Sequence, residues 1–200
     1  MEAIDHPPPN QPRRRWYQFS LRTLFVFMTL VGVSCSWVGI AFKDAIEQHA
    51  AVQKFATLDG RYTYDYQRAE ISQSSPPTAP QPPAPEWLRK ITGDDLFANV
   101  ETACLGDSWT DAESTHLRGL RHLKELNLDY SSMGNTALVD VGQLKELEVL
   151  YLPNRVTDAG LEHLTSLHRL RELNISSDRV TDAGIAKLQA ALPKCKIERQ

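Results

Sequence analysis

Three patterns of apolar and polar positions succeed one another along the chain. From Leu24 to Phe42 the sequence LFVFMTLVGVSCSWVGIAF carries no formal charge. A helix of that run is about 28 Å long at 1.5 Å per residue, which matches the hydrocarbon thickness of a bilayer. Residues 44–58 (DAIEQHAAVQKFATL) hold no Pro or Gly and place Ala45, Ile46, Val52, Phe55 and Leu58 near one helical face. Gly60 is the expected stop, and Tyr62, Tyr64 and Tyr66 then alternate with Thr63 and Asp65 as in a strand. Between Ser72 and Pro85, SQSSPPTAPQPPAP can neither pair in a sheet nor continue a helix, so it predicts an extended or coil linker.

The third pattern fills the C-terminal half. Leu123, Leu126 and Leu128 recur as Leu147, Leu150 and Leu152, and again as Leu170, Leu173 and Ile175, at steps of 24 and 23 residues. After each LxxLxL comes a turn with a small polar residue (Ser131, Asn154, Asp178), then a helical stretch, VTDAGLEHL at 156–164 and VTDAGIAKL at 180–188. WTDAESTHL at 109–117 is a degenerate earlier copy, and counting back from it assigns Val100, Ala103 and Leu105 to the strand positions. Leu192, Cys195 and Ile197 are assigned to a closing strand. One unit buries too little to stand alone, but parallel strands stacked at about 4.8 Å let the inward leucines form a continuous column. The tyrosine-rich strand is read as covering the first layer of that stack rather than as a ligand platform. Thr110, Thr157 and Thr181 fall at helix N-caps, with Glu113 completing a capping box, and Asp111, Asp158 and Asp182 fall beside the positive helix ends. The phrase TDAG is thereby explained without catalysis.

These segments, over roughly residues 96–197, resemble the leucine-rich repeat family, and the TDAGL variant is similar to repeats of the ribonuclease-inhibitor and F-box leucine-rich groups. The resemblance implies a curved solenoid that binds other proteins. The family's asparagine ladder would fall on Asp107, Ser131, Asn154 and Asp178, of which one is asparagine. The Arg-rich start, the apolar run and the stretch from Tyr62 to Trp87 also resemble a group of bacterial membrane-anchored repeat proteins. The expected fold is α/β, a short leucine-rich-repeat solenoid with parallel strands on the concave face, preceded by one transmembrane helix. The expected divisions are a basic tail (1–23), the span (24–42), a juxtamembrane helix and strand acting as a cap (43–71), the Pro-rich linker (72–85) and the repeat domain (86–200).

Charge orients this arrangement. Residues 1–43 carry five Lys or Arg against two Asp or Glu, while the remainder carries 17 against 23 within a whole-chain net of −3. Arg13, Arg14, Arg15 and Arg22 precede the run and only Lys43 follows before Asp44, so the positive-inside rule puts the N-terminus in the cytoplasm and the repeat domain outside. Trp16 and Tyr17 fall where an interfacial belt would lie, and Trp37 falls within the run. A cleaved signal peptide is the rival. Its apolar region is shorter and ends in a small-x-small site, and here the only small cluster, Ser34 to Ser36, lies inside the run, which favours a retained anchor. An acidic body without a basic stripe argues against nucleic acid as a partner.

Candidate chemistry is sparse. His116, His163 and Lys187 share one outer repeat position, and His122 and His168 open different strands without convergent partners, so no metal site or cofactor is expected. Cys104 and Cys195 fall on the first and last parallel strands, four spacings or about 19 Å apart, beyond the reach of a disulfide. No GxSxG, phosphate loop or HExxH is present. The reading is therefore non-enzymatic. It is a membrane-tethered module binding an unidentified protein or peptide through the x positions of its strands, with Glu125, Asn127, Asp129, Val149, Tyr151, Glu172 and Asn174 as the contact residues. Thr102, Cys104 and Lys196 continue the same rows. Tyr151 with Val149 forms a central apolar spot ringed by acid, the arrangement of a hot spot with a polar rim. The alternatives are a secreted or periplasmic enzyme or accessory protein, and a purely structural envelope protein.

Overall fold

Alternation at a period of two turns each repeated leucine segment into a short strand with one buried and one open side. The computed structural model describes residues 21–67, 86 and 98–199. Its elements are helix α1 (Leu21–Thr57), β1 (Gly60–Tyr64), β2 (Val100–Leu105), a 3-10 helix (Asp111–Gly119), β3 (Glu125–Asn127), α2 (Ala137–Val141), β4 (Val149–Leu152), α3 (Asp158–Leu161) continued by a 3-10 turn (Glu162–Leu164), β5 (Glu172–Ile175), α4 (Asp182–Ala191) and β6 (Lys196–Arg199). The expected basic tail to residue 20, with Trp16 and Tyr17, and the linker at 72–85 lie outside the described residues. The chain divides into two units, Met1–Gly39 and Ile40–Gln200.

The described part of the first unit is helical and its side chains are open. Phe25, Phe27, Met28, Leu30 and Val33 are each more than 60% exposed, with Leu24, Val26 and Val31 above 40%. Its hydroxyls turn back onto the helix. Thr29 Oγ1 donates to the carbonyls of Phe25 and Val26 (3.1 and 2.9 Å), Ser34 Oγ to Leu30 (2.8 Å) and Ser36 Oγ to Gly32 (2.9 Å). Among the described residues no helix is long and apolar enough to cross a membrane. The expected span at 24–42 is covered only in part by the described residues, since the side chains at 37, 38 and 40–42 lie outside them.

The second unit is an α/β domain around a six-stranded sheet in the order β1-β2-β3-β4-β5-β6. β1 runs antiparallel to β2 and every later pair is parallel. The register sets Ala103 beside Leu126, Leu126 beside Leu150 and Leu150 beside Leu173, so positions 126, 150 and 173 do line up on neighbouring strands. All three leucines are completely buried. The turn entering each strand repeats as well, with the amides of Leu123, Leu147, Leu170 and Cys195 donating to the carbonyls of Leu120, Leu144, Leu167 and Leu192 at 2.9–3.1 Å. β1 lies along the outer edge of β2, over the first layer of the stack.

The closing strand departs from the expected assignment. Ile197 pairs with Leu173, a position expected of Cys195, while Cys195 takes the turn position of Leu170. A slip of two residues keeps every side chain on its own face of a period-two strand, so the hydrophobic pattern could not detect it. The ladder also differs. Asp107, Asn154 and Asp178 are exposed, whereas Ser131 and Ser177 are buried, Ser131 Oγ donating locally to the Leu128 carbonyl (2.8 Å) and Ser177 Oγ reaching back to the carbonyls of Asn154 and Val156 in the preceding unit (3.0 and 2.6 Å). A regular set of links between successive units sits at the helix starts. Asp111 Oδ1 accepts from the Gly134 amide (2.7 Å), Asn135 Oδ1 from Thr157 (2.9 Å) and Asp158 Oδ1 from Thr181 (2.8 Å). Each therefore satisfies an amide of the next unit. Thr110 makes the expected capping box and Thr181 caps Gly184, but Thr157 makes no cap, since its hydroxyl instead accepts from the Asn135 amide group (2.8 Å).

The C-terminal half of α1 is part of this domain. Ala51, Val52 and Phe55 are buried, Ile46 is 64% exposed against expectation, and Gln48 replaces it in the interface. Gln48 Nε2 donates to the Ala98 carbonyl (2.8 Å) and its Oε1 accepts from the Val100 amide (3.2 Å), satisfying backbone groups at the start of β2. Arg121 pairs with both Asp44 and Glu47 (3.0 and 2.9 Å). Glycine is required at residue 119, where an added Cβ would lie 2.4 Å from the Glu47 carbonyl oxygen.

Candidate functional site

Because successive side chains on a strand point to opposite faces, burying Leu126, Leu150 and Leu173 turns the residues between them outward together. Register builds two rows across the parallel strands. One runs Thr102, Glu125, Val149, Glu172, Lys196, and the other Cys104, Asn127, Tyr151, Asn174, Glu198. Six of the seven expected contact residues, Glu125, Asn127, Asp129, Val149, Tyr151 and Glu172, are half-buried on this face. Asn174 is a correction, for it is 2% exposed and its amide group donates to Glu172 Oε1 (3.2 Å). Its amide group is turned to that carboxylate and not to the open surface.

Tyr151 stands in the middle strand with acid on both sides. Burial first, then the carboxylates of Glu172, Glu125, Asp129 and Glu198, push its phenol above the ordinary tyrosine value. The phenol therefore stays neutral, a ring with a hydroxyl donor and no general base. Asp129 accepts from Ser176 Oγ (2.9 Å), and its own amide donates to Asn127 Oδ1 (2.9 Å). Cations lie at the two ends of the face. Lys196 pairs with Glu198 (2.5 Å), and Arg61 lies opposite Cys104 on β1, where Thr63 and Thr102 share a hydroxyl hydrogen bond. Sequence reasoning missed Glu198 and Ser176. The first was hidden by the two-residue slip in β6, and the second lies beyond β5 in a loop that carries no periodic signal.

Elsewhere the described polar side chains pair mainly with one another. His122 Nδ1 lies 3.2 Å from Glu146, a partner not expected, and Arg169 approaches the same carboxylate (3.5 Å). Among the described residues no three His, Cys, Asp or Glu side chains converge to hold a metal ion. Burial raises the Cys104 thiol and pushes Cys195 up to about 11, so both remain protonated near neutrality. Buried Asp140 accepts from Arg118 Nε and Ser114 Oγ (both 2.5 Å), tying the 3-10 helix to α2. On the helical side a groove of about 430 Å³ runs between α3 and α4, bridged by Glu162 and Lys187 (2.6 Å). No family model and no curated protein matches the chain.

Proposed function

We propose that the protein is a membrane-tethered leucine-rich-repeat interaction module, non-enzymatic, that docks a protein or peptide on the open face of its parallel sheet. The observation that carries the reading is the unbroken register from Ala103 to Ile197, which buries the leucines and turns Tyr151 and Val149 outward at the centre of polar rows. An aromatic anchor ringed by polar groups is the usual make-up of a binding hot spot. The recurrent 24- and 23-residue steps support membership of the repeat family. Tyr151→Ala is expected to leave thermal unfolding nearly unchanged, because the ring is half-exposed, while weakening peptide binding by about tenfold. Loss of stability in step with binding would assign Tyr151 to the core and remove the docking role.

The tether is supported by the open apolar side chains of residues 24–33 and by hydroxyls that satisfy themselves on helix carbonyls, as a segment in hydrocarbon requires. The cytoplasmic N-terminus and external sheet domain follow from the flanking arginines. In cells, the protein is expected to remain in the membrane pellet after high-salt and alkaline washes, and a protease added outside should cut a site inserted at residue 60. Release by either wash would remove the anchor, and protection of residue 60 in intact cells would reverse the orientation.

A further inference from the structure

Strands β3 to β6 are each entered through the same turn, closed by the amides of Leu123, Leu147, Leu170 and Cys195. The two residues inside each turn, 121–122, 145–146, 168–169 and 193–194, therefore lie side by side along one edge of the domain. Over three strand spacings that row is about 14 Å long. Each turn contributes one permanent cation, Arg121, Lys145, Arg169 or Lys194, and all four are exposed. The one acid in the row, Glu146, is half-buried and shared between His122 (3.2 Å) and Arg169 (3.5 Å). Lys145 Nζ donates to two neutral oxygens, the Gly142 carbonyl (2.6 Å) and Ser166 Oγ (2.8 Å), and Lys194 has no ion pair among the described residues. Positive charge therefore remains uncompensated on this edge. The opposite edge, where the strands leave, has the reverse sign, with Asp59, Asp107, Asp129 and Asp178 against Arg155 and Arg179.

Helix α1 meets the domain at the cationic edge. Arg121 holds Asp44 and Glu47 (3.0 and 2.9 Å), and the Glu47 carbonyl lies against Gly119. The chain after α1 reaches the acidic edge, where the Gly106 amide donates to the Asp59 carbonyl (2.6 Å). With Lys43, Asp44 and Glu47 included, the entry edge still holds five Lys or Arg to three carboxylates. Resting on the tether reading above, in which the span ends at Phe42, we infer that this row lies on the surface of the same bilayer and binds anionic phospholipid headgroups. Asp44 is two residues beyond the span, so its pairing with Arg121 brings the first of the four turns to headgroup level. Lys and Arg near a charged lipid surface are attracted within a Debye length, about 8 Å at physiological salt, and the uncompensated Lys145 and Lys194 extend that contact along the row. A soluble phosphate is the poorer candidate, since cations spread over about 14 Å do not converge on one small anion. Strands that start at the bilayer and run away from it leave Tyr151 on an accessible face.

The test places the full chain in nanodiscs of phosphatidylcholine, with or without about 30% phosphatidylglycerol, and follows acylation of its lysines by N-hydroxysuccinimidyl acetate with mass spectrometry. Relative to Lys187 on α4, Lys145 and Lys194 are expected to react about fivefold more slowly in the anionic discs, and raising salt from about 50 to about 500 mM should erase the difference. Lys145→Gln combined with Arg169→Gln should reduce the slowing at Lys194 to less than about twofold with an unchanged melting curve, because both side chains are exposed. Lys43, next to the span, reports the tether separately. A response at Lys43 while Lys145 and Lys194 follow Lys187 would overturn the headgroup contact and leave the anchor intact. Slowing of the two lysines to the same extent in neutral discs, or by about 10 mM inorganic phosphate without anionic lipid, would also overturn it, since the row would then not be reading headgroup charge. No response at any of the three lysines would overturn the contact and the anchor together.

Discussion

Leu150→Asp is expected to abolish the cooperative thermal transition of the sheet domain. Leu150 is completely buried, flanked by Leu126 on β3 and Leu173 on β5. A carboxylate there would have apolar neighbours on both sides and no hydrogen-bond donor from them. It would be ionised at large cost or neutralised by a strong upward pKa shift, and the loss of the leucine's own packing adds about 2–5 kcal/mol. The sum is comparable with the whole net stability of a domain, about 5–15 kcal/mol. Circular dichroism should show no sigmoidal melt, and amide exchange protection should vanish from β3, β4 and β5 together. Tyr151→Asn is the matched control, one residue on and facing outward, and should keep its melt. A Leu150→Asp protein melting within a few degrees of the parent would mean that these leucines do not form a shared column.

The second large effect is expected at Trp109, which packs the segment after β2 against the C-terminal half of α1. Its ring is fully buried, 4.9 Å from Phe55, which in turn meets Tyr62 edge-on at 5.4 Å. Trp109→Ala should cost about 3–5 kcal/mol through lost contacts and the cavity left behind. For a domain of this size that corresponds to a melting point lower by on the order of 10 °C. Among the described residues the buried indole Nε1 has no hydrogen-bond partner, so it contributes a desolvation cost and no bond. Trp109→Phe should therefore lose clearly less than Trp109→Ala, since it keeps most of the ring packing and removes the orphaned donor. If both variants unfold alike, the indole donor has a partner that this packing does not account for.

The buried leucine column was readable from spacing alone, because a period of two sets which side of a strand faces inward and a step of 23 or 24 residues brings each strand back beside its predecessor. The same spacing placed Glu125, Asn127, Val149, Tyr151 and Glu172 on one face. Asn174 was misread because its burial depends on what its neighbours cover, and its position in the strand does not reveal that. Gln48 was passed over since a helical pattern counts glutamine as solvated, whereas here its amide takes the place of a strand partner for Ala98 and Val100. Ile46 was misplaced for the same reason in reverse. The helical contact face was set by the fit against Gly119 and Arg121, and hydrophobicity along the helix did not specify it.

By itself, the sequence determined the strand positions, the direction each leucine faces and the repeat step, because these follow from local geometry and chain distance. Only the tertiary structure decided the register of β6, the exchange of the ladder from Asp107, Asn154 and Asp178 to Asp111, Asn135 and Asp158, and the gathering of Glu198 with the acids around Tyr151. Those outcomes rest on which groups meet through space, where a two-residue slip costs nothing in facing and a polar side chain settles wherever an unsatisfied amide awaits it.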